Sequence, residues 1–302
     1  MKSLGLKAAC SVISLLICYT DVLALDKRVI VHITPYKQVC FKSNWVYTYQ
    51  ATDQFDTDNH LVGTVKNNTS AIKTQLRYSP FKQLEIGVES IYFLDRRQSK
   101  ITAEGIKTTS IDSSGLGDTA LQLTYSPADS RKQAFGFLLG AELGLPTGDE
   151  DEDLGNGAYN LSFRSTISLN TSVGFPYLAA IYTSSGDTKK DGYTTEKPDD
   201  LMLALGLNSR RWHGLSLDAR LFNDFLYGHA VNHNNSTRVV TGSHDIPGYR
   251  LTCKYLFFDA FEGSLFFEQA WPEDHLLTSN GTSLTKRPRG TERFALAIRV
   301  LW

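Results

Sequence analysis

The chain has 302 residues, with 31 lysines and arginines against 32 aspartates and glutamates, and a formal net charge of -1. Because nucleic-acid proteins neutralise phosphates with an excess of basic residues, this balance predicts no nucleic-acid partner. Hydrophobic residues make up 41% and aromatic residues 11% of the chain, which excludes a disordered protein. The four cysteines form no CxxC motif and no cluster with histidines, so we expect neither a disulfide scaffold nor a metal or other cofactor.

The first 24 residues resemble a secretory signal peptide. Lys2 and Lys7 precede an apolar run at 8–19, and small or apolar residues lead up to Ala24. We predict cleavage after Ala24 and export from the cytoplasm. No later stretch reaches the ~18 uncharged apolar residues of a membrane helix. Cys40 and Cys253 remain in the exported chain, and their spacing leaves open whether they pair.

From residue 44 onward, apolar and polar residues alternate in short segments. At 84–94, for example, Glu85 and Glu89 share one face, and the other face is apolar. A period of two is typical of strands with one apolar side. In chain order it predicts twelve strands, at 44–51, 70–78, 84–94, 116–125, 134–145, 158–169, 175–183, 200–208, 214–223, 248–257, 263–271 and 291–302.

The connections between these segments alternate in length. Short turns follow the even-numbered strands, and long connections follow the odd-numbered ones, at 52–69, 95–115, 146–157, 184–199, 224–247 and 272–290. Outer-membrane barrels have this arrangement, with short periplasmic turns and long outer loops. We therefore predict an all-β fold, a transmembrane antiparallel up-and-down β-barrel of about twelve strands. The barrel would comprise 44–302, after an N-terminal segment at 25–43 in the periplasm or the lumen.

Aromatic residues near the strand ends predict two girdles at the membrane surfaces. Near the short turns lie Tyr78, Phe81, Tyr125, Phe135, Phe175, Tyr177, Trp212, Tyr255, Phe257 and Phe261, and near the long loops lie Tyr92, Tyr182, Phe222, Phe225, Tyr249 and Trp271. The last segment carries Phe294 and ends on Trp302, which resembles the C-terminal aromatic signal by which barrels are recognised for insertion. The expected partners are the barrel-assembly machinery, outer-membrane lipid and lipopolysaccharide, in a Gram-negative bacterium.

Two motifs in the middle of the chain carry a family resemblance. The segments SGLGDTALQLTYSP at 114–127 and GAELGLPTGDEDEDLGNGAYNLSF at 140–163 resemble those of an outer-membrane family associated with transport in the MetA pathway of phenol degradation, and of related uncharacterised barrel families. The resemblance implies a channel-like barrel, and we interpret the motif residues as structural. They are Gly115, Gly117, Asp118, Pro146, Thr147, Gly148, Asp149, Gly155 and Gly157.

Alternation also assigns charged residues to the inner face. The candidates for lining the lumen are Lys73, Arg77, Glu85, Glu89, Asp118, Glu142, Arg164, Asp218, Arg220, Arg250, Lys254, Glu268, Arg293 and Arg299. Cross-strand pairs among them would leave a small cationic surplus. They could therefore form a polar plug of salt bridges or line a narrow, weakly anion-preferring pore. Together with the family resemblance, this predicts passive passage of a small, aromatic or hydrophobic solute and no enzymatic activity.

Weaker patterns support other functions. The acidic run at 149–153 resembles a calcium loop, but Leu154 occupies the position of the required glycine, so a solvated outer loop is the better interpretation. A histidine-rich connection could bind a transition metal through His229, His233 and His244, beside Asp224 and Asp245.

Two further functions remain as alternatives. One is a barrel enzyme of the lipase or phospholipase type, although His213 and Ser216 have opposite parity and no GxSxG motif is present. The other is a structural or adhesive barrel that acts through its outer loops.

Overall fold

The computed structural model describes residues 32–103, 105–149, 152, 154–155, 157–190, 193–233, 237–258, 260–279 and 282–302. The predicted signal peptide and residues 25–31 lie outside this part of the chain. Within it, there is no helix of the length and hydropathy that crossing a membrane requires. The seventeen strands of the described residues are β1 (Val39–Phe55), β2 (Leu61–Phe81), β3 (Leu84–Thr102), β4 (Lys107–Ala128), β5 (Phe135–Leu145), β6 (Asn160–Leu169), β7 (Gly174–Ser185), β8 (Thr188–Lys190), β9 (Tyr193–Thr195), β10 (Asp200–Ser209), β11 (Leu215–Leu226), β12 (His229–His233), β13 (Thr237–Thr241), β14 (His244–Phe258), β15 (Phe261–Ala270), β16 (His275–Ser279) and β17 (Thr282–Leu301).

Twelve of these described strands close into one barrel. Each pairs antiparallel with two neighbours, in the order β1, β2, β3, β4, β5, β6, β7, β10, β11, β14, β15 and β17, and β17 pairs back onto β1 from Cys40↔Leu301 to Phe55↔Thr285. Closure leaves no edge strand, so backbone groups in the wall find partners without water. The predicted all-β fold, a transmembrane antiparallel up-and-down barrel of about twelve strands, is confirmed.

The barrel is apolar outside and polar inside. Leu205 and Leu221 are 59% and 64% exposed, whereas Glu85 is only 2% exposed. Among the described residues, glutamines and a glutamate are the largest of the most deeply buried side chains. This reverses the distribution in a soluble protein, where leucine is buried and charged residues lie at the surface. The outer surface is therefore one that contacts lipid.

The two ends of the barrel differ. At one end, the short-turn end, connections of two to six residues join five strand pairs: β2 and β3, β4 and β5, β6 and β7, β10 and β11, and β14 and β15. The first residue of β1 and the last residue of β17 also lie at this end. At the other end, the loop end, the sheet continues beyond the barrel as a collar. The collar consists of β8, β9, β12, β13 and β16, which pair in that order and reach the first half of β17.

Four of the predicted long connections consist mostly of strand. At 224–247 lie β12, β13 and the first residues of β14, and at 272–290 lie β16 and the first residues of β17. β1 and β2 run on into a connection at 56–60, and β3 and β4 into one at 103–106, so most of 52–69 and 95–115 is strand. These extensions have polar residues on both faces, for example Asn67 and Asn68 on β2. A pattern search for one apolar face detects only the part of a strand that contacts lipid.

The first strand also begins earlier than predicted. β1 starts at Val39, five residues before the predicted barrel boundary at 44. Cys40 and Asn44 lie on its buried face with Lys42 between them in register, so the period of two already holds there. The N-terminal segment therefore contributes a strand end, and only 32–38 of its described part precede the barrel.

Three of the predicted girdle aromatics face inward. Phe175 lies edge-on to His32, and Tyr177 is 3% exposed and packs with Phe222 in a cluster on the inner face of β7 and β10. Alternation along each strand assigns these three positions to the inner face. The prediction of girdles used only their distance from the strand ends and ignored this alternation. Others are exposed near the short turns, among them Tyr78, Phe81, Tyr125, Phe135, Trp212, Tyr255 and Phe257, and near the loop end are Tyr92, Tyr182 and Trp271. Phe294 and Trp302 are also exposed, at 41% and 61%.

Candidate functional site

The inner face of the barrel has one side on which charges pair one to one. Lys73 Nζ lies 2.5 Å from Glu89 Oε1, and Arg77 Nη1 lies 3.3 Å from Glu85 Oε1, in both cases across β2 and β3. On β5 and β6, Glu142 pairs with Arg164. We call these three pairs the paired wall. Each cation there has its own carboxylate, so the paired wall carries little net charge.

A chain of amides connects the strands of the paired wall. Gln75 Nε2 donates to Gln122 Oε1 at 2.5 Å, and Gln122 Nε2 donates to Glu142 Oε2 at 2.9 Å. Bridging amides satisfy buried carboxylates that would otherwise be costly to remove from water. This half of the lumen therefore fits a rigid, hydrogen-bonded filling better than an open passage.

The opposite side concentrates positive charge on few carboxylates. The carboxylate of Glu268 on β15 accepts hydrogen bonds from Arg220 Nη2 at 3.3 Å, Arg250 Nε at 2.7 Å and Arg293 Nη1 at 3.1 Å. We call this side, formed by β11, β14, β15 and β17, the cationic wall. Three guanidinium groups around one carboxylate leave a local excess of positive charge.

A second group on the cationic wall repeats this imbalance nearer the short-turn end. Glu262 Oε2 lies 3.0 Å from Arg211 Nη2, and Glu262 Oε1 lies 3.6 Å from Arg299 Nη1. Lys254 on β14 is half-buried beside the same space. Asp218 partly offsets the excess, and its Oδ1 accepts a hydrogen bond from Tyr177 at 3.4 Å.

Two neighbouring cavities occupy this part of the lumen. One has a volume of about 420 Å³ and the other about 210 Å³. Residues of the cationic wall line both, and both are also lined by His32, Arg77, Asn208, Lys254, Glu262 and Arg299. Because the linings overlap, we treat the two cavities as one lumen chamber.

The chamber is bounded at the short-turn end by the N-terminal segment. We call residues 32–35 the N-terminal plug. Ile33 packs against the inward Leu138, and Thr34 N–H donates to Glu85 Oε2 at 2.6 Å. Ser79 Oγ donates to Thr34 O at 2.8 Å. The plug is thus held by backbone hydrogen bonds to the barrel wall.

The motif residues hold the β5–β6 connection against the inner wall at the loop end. Gly148 N–H donates to Asp118 Oδ1 at 3.0 Å, and Leu154, which is 4% exposed, packs on Phe93 and Ala71. A Cβ on Gly117 would come within 2.7 Å of the Phe93 ring. β4 therefore needs a glycine at 117, where the β5–β6 connection crosses it.

The other motif residues complete the same turn. Thr147 Oγ1 accepts a hydrogen bond from Thr119 N–H at 2.9 Å, and Asp149 O accepts one from Leu154 N–H at 2.7 Å. Gly157 has a φ of 62°, a conformation that glycine adopts without strain. Gly115 lies beside Leu154, Gly155 lies against Gly148, and Pro146 precedes Thr147 at the end of β5.

The weaker patterns do not assemble into sites in the described part of the chain. His244 stacks on His275 with ring centroids 4.1 Å apart, while the side chains of His229 and His233 lie outside the described residues, as do 150, 151 and 153 of the acidic run. A carboxylate–histidine group that could hold a cation occurs instead at Asp56, Asp58 and His60, in an exposed turn.

The residues of the barrel-enzyme alternative are likewise apart. His213 is exposed in a turn with a φ of 48°, and Ser216 is buried on the inner face of β11. Cys40 is buried and Cys253 is exposed, and both are free thiols. The pairing that the sequence left open is therefore absent between these two described cysteines.

Sequence reasoning missed four charged residues around the chamber. Lys42 and Glu262 lie just before the predicted starts of their strands, at 44 and 263. Their parity matches Asn44 and Glu268, so extending each strand by two residues would have found them. Arg131 and Arg211 lie in turns, where alternation does not assign a side chain to the inner or the outer face, and no signal in the sequence identifies them.

Comparisons with known proteins match the fold. No protein-family model matches the chain, and no curated protein matches it either. Among solved structures, an outer membrane channel from Pseudomonas putida F1 has a TM-score of 0.62 at 13% identity, over 93% of this chain and all of that one. At this identity the likeness is one of fold, and the barrel that the motifs implied is the fold of this channel.

Two further solved structures match less well. The toluene transporter TodX of P. putida has a TM-score of 0.44 at 10% identity, over 87% of this chain and 89% of that one. The outer membrane protease OmpT of Escherichia coli has a TM-score of 0.38 at 9% identity, over 90% and 99%.

Proposed function

We propose that the protein is a passive channel of the outer membrane for small solutes. The observation that carries this proposal is a chamber lined by charged and polar side chains inside a closed barrel whose outer face is apolar. In a barrel with only a structural role we would expect side chains to fill this space, because filling it would add packing and hydrogen bonds.

The proposal includes the route to the membrane. The segment at 1–24 would direct export and be cleaved, and Phe294 and Trp302 would be read by the barrel-assembly machinery in a Gram-negative bacterium. The short-turn end would then face the periplasm, and the collar would face lipopolysaccharide. The N-terminal plug would make the resting channel narrow.

The inner-face residues predicted from the sequence are proposed to act in three ways. The paired wall, with Lys73, Arg77, Glu85, Glu89, Glu142 and Arg164, would stiffen the barrel. The solute path would follow the cationic wall, with Asp218, Arg220, Arg250, Lys254, Glu268, Arg293 and Arg299. Asp118 would hold the β5–β6 connection. We propose small aromatic or hydrophobic compounds as solutes, on the strength of the motif resemblance and the aromatic rings at the chamber.

Reconstitution tests the channel directly. The purified, refolded full-length protein is inserted into planar bilayers, and liposome swelling is measured with small sugars and aromatic solutes. We expect discrete conductance steps and faster swelling than in protein-free liposomes. Correctly folded protein that produces neither would contradict the channel. Phospholipid turnover by the same sample would favour the barrel-enzyme alternative, for which His213 and Ser216 offer no assembled site.

A further inference from the structure

The chamber carries more positive charge than the carboxylates around it can balance. Eight lysines and arginines line its two cavities, against Asp218 and Glu262 alone. Three more carboxylates, which do not line the cavities, pair with lining cations, namely Glu85, Asp129 and Glu268. Even when these three are counted, the lining lysines and arginines outnumber the carboxylates beside them.

Lys254 is the cation best placed to meet a ligand. It lines both cavities, and its ammonium makes no hydrogen bond or ion pair with any described residue. Arg299 lines the same space, and its buried Nε has no hydrogen-bond partner in the described chain. A buried donor without a partner is costly, so an anion that accepts from these groups would bind favourably.

Aromatic rings lie beside these cations. The Arg250 guanidinium lies 4.5 Å from the centroid of the Phe266 ring, which lines the smaller cavity, and Tyr177 lines the same cavity. At the larger cavity, Phe175 packs edge-on against His32 at 4.8 Å. The chamber thus offers flat apolar surface within reach of positive charge, a combination that matches a ring carrying an acid group.

We propose that the chamber binds small aromatic carboxylates, with Lys254 and Arg299 holding the carboxylate and the Phe266 side of the chamber contacting the ring. The proposal rests on the channel function above and names its solute class. Neutral aromatic compounds of the same shape bind more weakly, because they leave the ammonium of Lys254 without an anion. The channel also prefers anions over cations.

Binding is tested on the full-length protein in detergent, by titration calorimetry with benzoate and with benzamide, its neutral isostere. We expect benzoate to bind more tightly than benzamide. Lys254→Gln should weaken benzoate binding about tenfold, the value of one charge-assisted hydrogen bond, and leave benzamide unchanged. Lys254→Arg should retain benzoate binding.

Lys82→Gln is the matched control, because Lys82 is exposed in the turn between β2 and β3 and its loss removes the same charge outside the lumen. It should leave benzoate binding unchanged. Equal binding of benzoate and benzamide, or an unchanged benzoate affinity in folded Lys254→Gln protein, would overturn the proposal. Failure to fold is recognised by gel mobility before boiling, and Lys254→Met then serves as the neutral variant.

Bilayer recordings separate this proposal from the channel function. In a potassium chloride gradient, we expect a reversal potential of anion-preferring sign, which moves toward zero in Lys254→Gln. A wild-type protein that binds benzoate but never conducts would refute the channel and keep the binding site. A protein that conducts with no anion preference and does not distinguish benzoate from benzamide would keep the channel and refute this inference.

Discussion

At the residue scale, the alternation of side chains along a strand predicts some contacts of the inner face and not others. Alternation along β2 and β3 was enough to bring Lys73 beside Glu89 and Arg77 beside Glu85, because cross-strand neighbours in register share a face. It did not reveal that Glu268 binds three arginines. Arg250 and Arg293 lie directly opposite Glu268 on β14 and β17, whereas Arg220 reaches it from β11, two strands away. Which carboxylates are shared depends on barrel curvature, which no local pattern contains.

Glu268 therefore has a large predicted effect on stability. Glu268→Gln leaves Arg220, Arg250 and Arg293 around a neutral amide, so we expect the free energy of unfolding to fall by about 3 kcal/mol, the usual cost of removing one partner from a buried charge group. Urea unfolding in lipid vesicles, followed by tryptophan fluorescence, measures this. Glu273→Gln, in an exposed connection, is the control and should unfold with the wild type. If the two variants unfold alike, Glu268 does not organise the cationic wall.

The motif glycines also act as single residues. A Cβ at Gly148 would lie 2.7 Å from Leu154 O and from the Gly155 Cα, so Gly148→Ala must push the β5–β6 connection away from the wall. We expect faster proteolysis near Leu154, with a loss of about 1 to 3 kcal/mol, as for strained backbone. At Gly242 an added Cβ meets nothing within 4 Å, so Gly242→Ala is the matched control. Equal proteolysis of both variants would mean that the glycine is not needed for the fit.

At the element scale, the lipid-facing part of each strand was predictable and the rest was not. The twelve barrel strands were all found, because lipid on one side and polar side chains on the other impose a period of two. The extensions of β1 to β4, the first part of β17 and the collar strands β8, β9, β12, β13 and β16 were missed, because they carry no continuous apolar face. The N-terminal plug has no periodicity at all, and its place in the lumen follows only from its contacts.

The plug gives the channel a predicted response to pH. Burial, reinforced by Arg131, lowers the pKa of His32 from 6.5 to about 4. The nearest carboxylate, Asp129, offsets this lowering only in part, because it also binds Arg131 through Nε and Nη2. His32 is therefore neutral in the docked plug, and the docked state loses stability as pH falls from 6.5 towards about 4.

We accordingly expect conductance to rise in this acidic range as the plug loosens. His32→Phe, which keeps the edge-on contact with Phe175 and cannot be protonated, should abolish the rise. His60→Phe is the control, because His60 lies in the exposed turn between β1 and β2, and it should behave as wild type. Bilayer recordings from pH 7 to pH 4 measure the effect. An undiminished rise in His32→Phe would exclude His32 as the titrating group.

At the scale of the whole molecule, the sequence was sufficient for the architecture because one physical demand determines it. A sheet in lipid must pair every backbone group, so it must close, and its faces must differ in polarity. The contents of the lumen follow no comparable rule. The chamber lies along the cationic wall, while paired charges and amides fill the other side, a distribution set by neighbours in three dimensions.

The apolar outer face and the polar inner face of this barrel wall require lipid on one side and water on the other. Spin labels at positions 251, 252 and 253 of β14 test this in lipid vesicles, because Leu251 and Cys253 are exposed outside and Thr252 lines the chamber. Each label is attached to a single cysteine in a Cys40→Ser background, with Cys253→Ser added for the labels at 251 and 252. We predict that dissolved oxygen relaxes the labels at 251 and 253, and that a water-soluble nickel chelate relaxes only the label at 252. Equal accessibility of all three labels to either reagent would contradict the account.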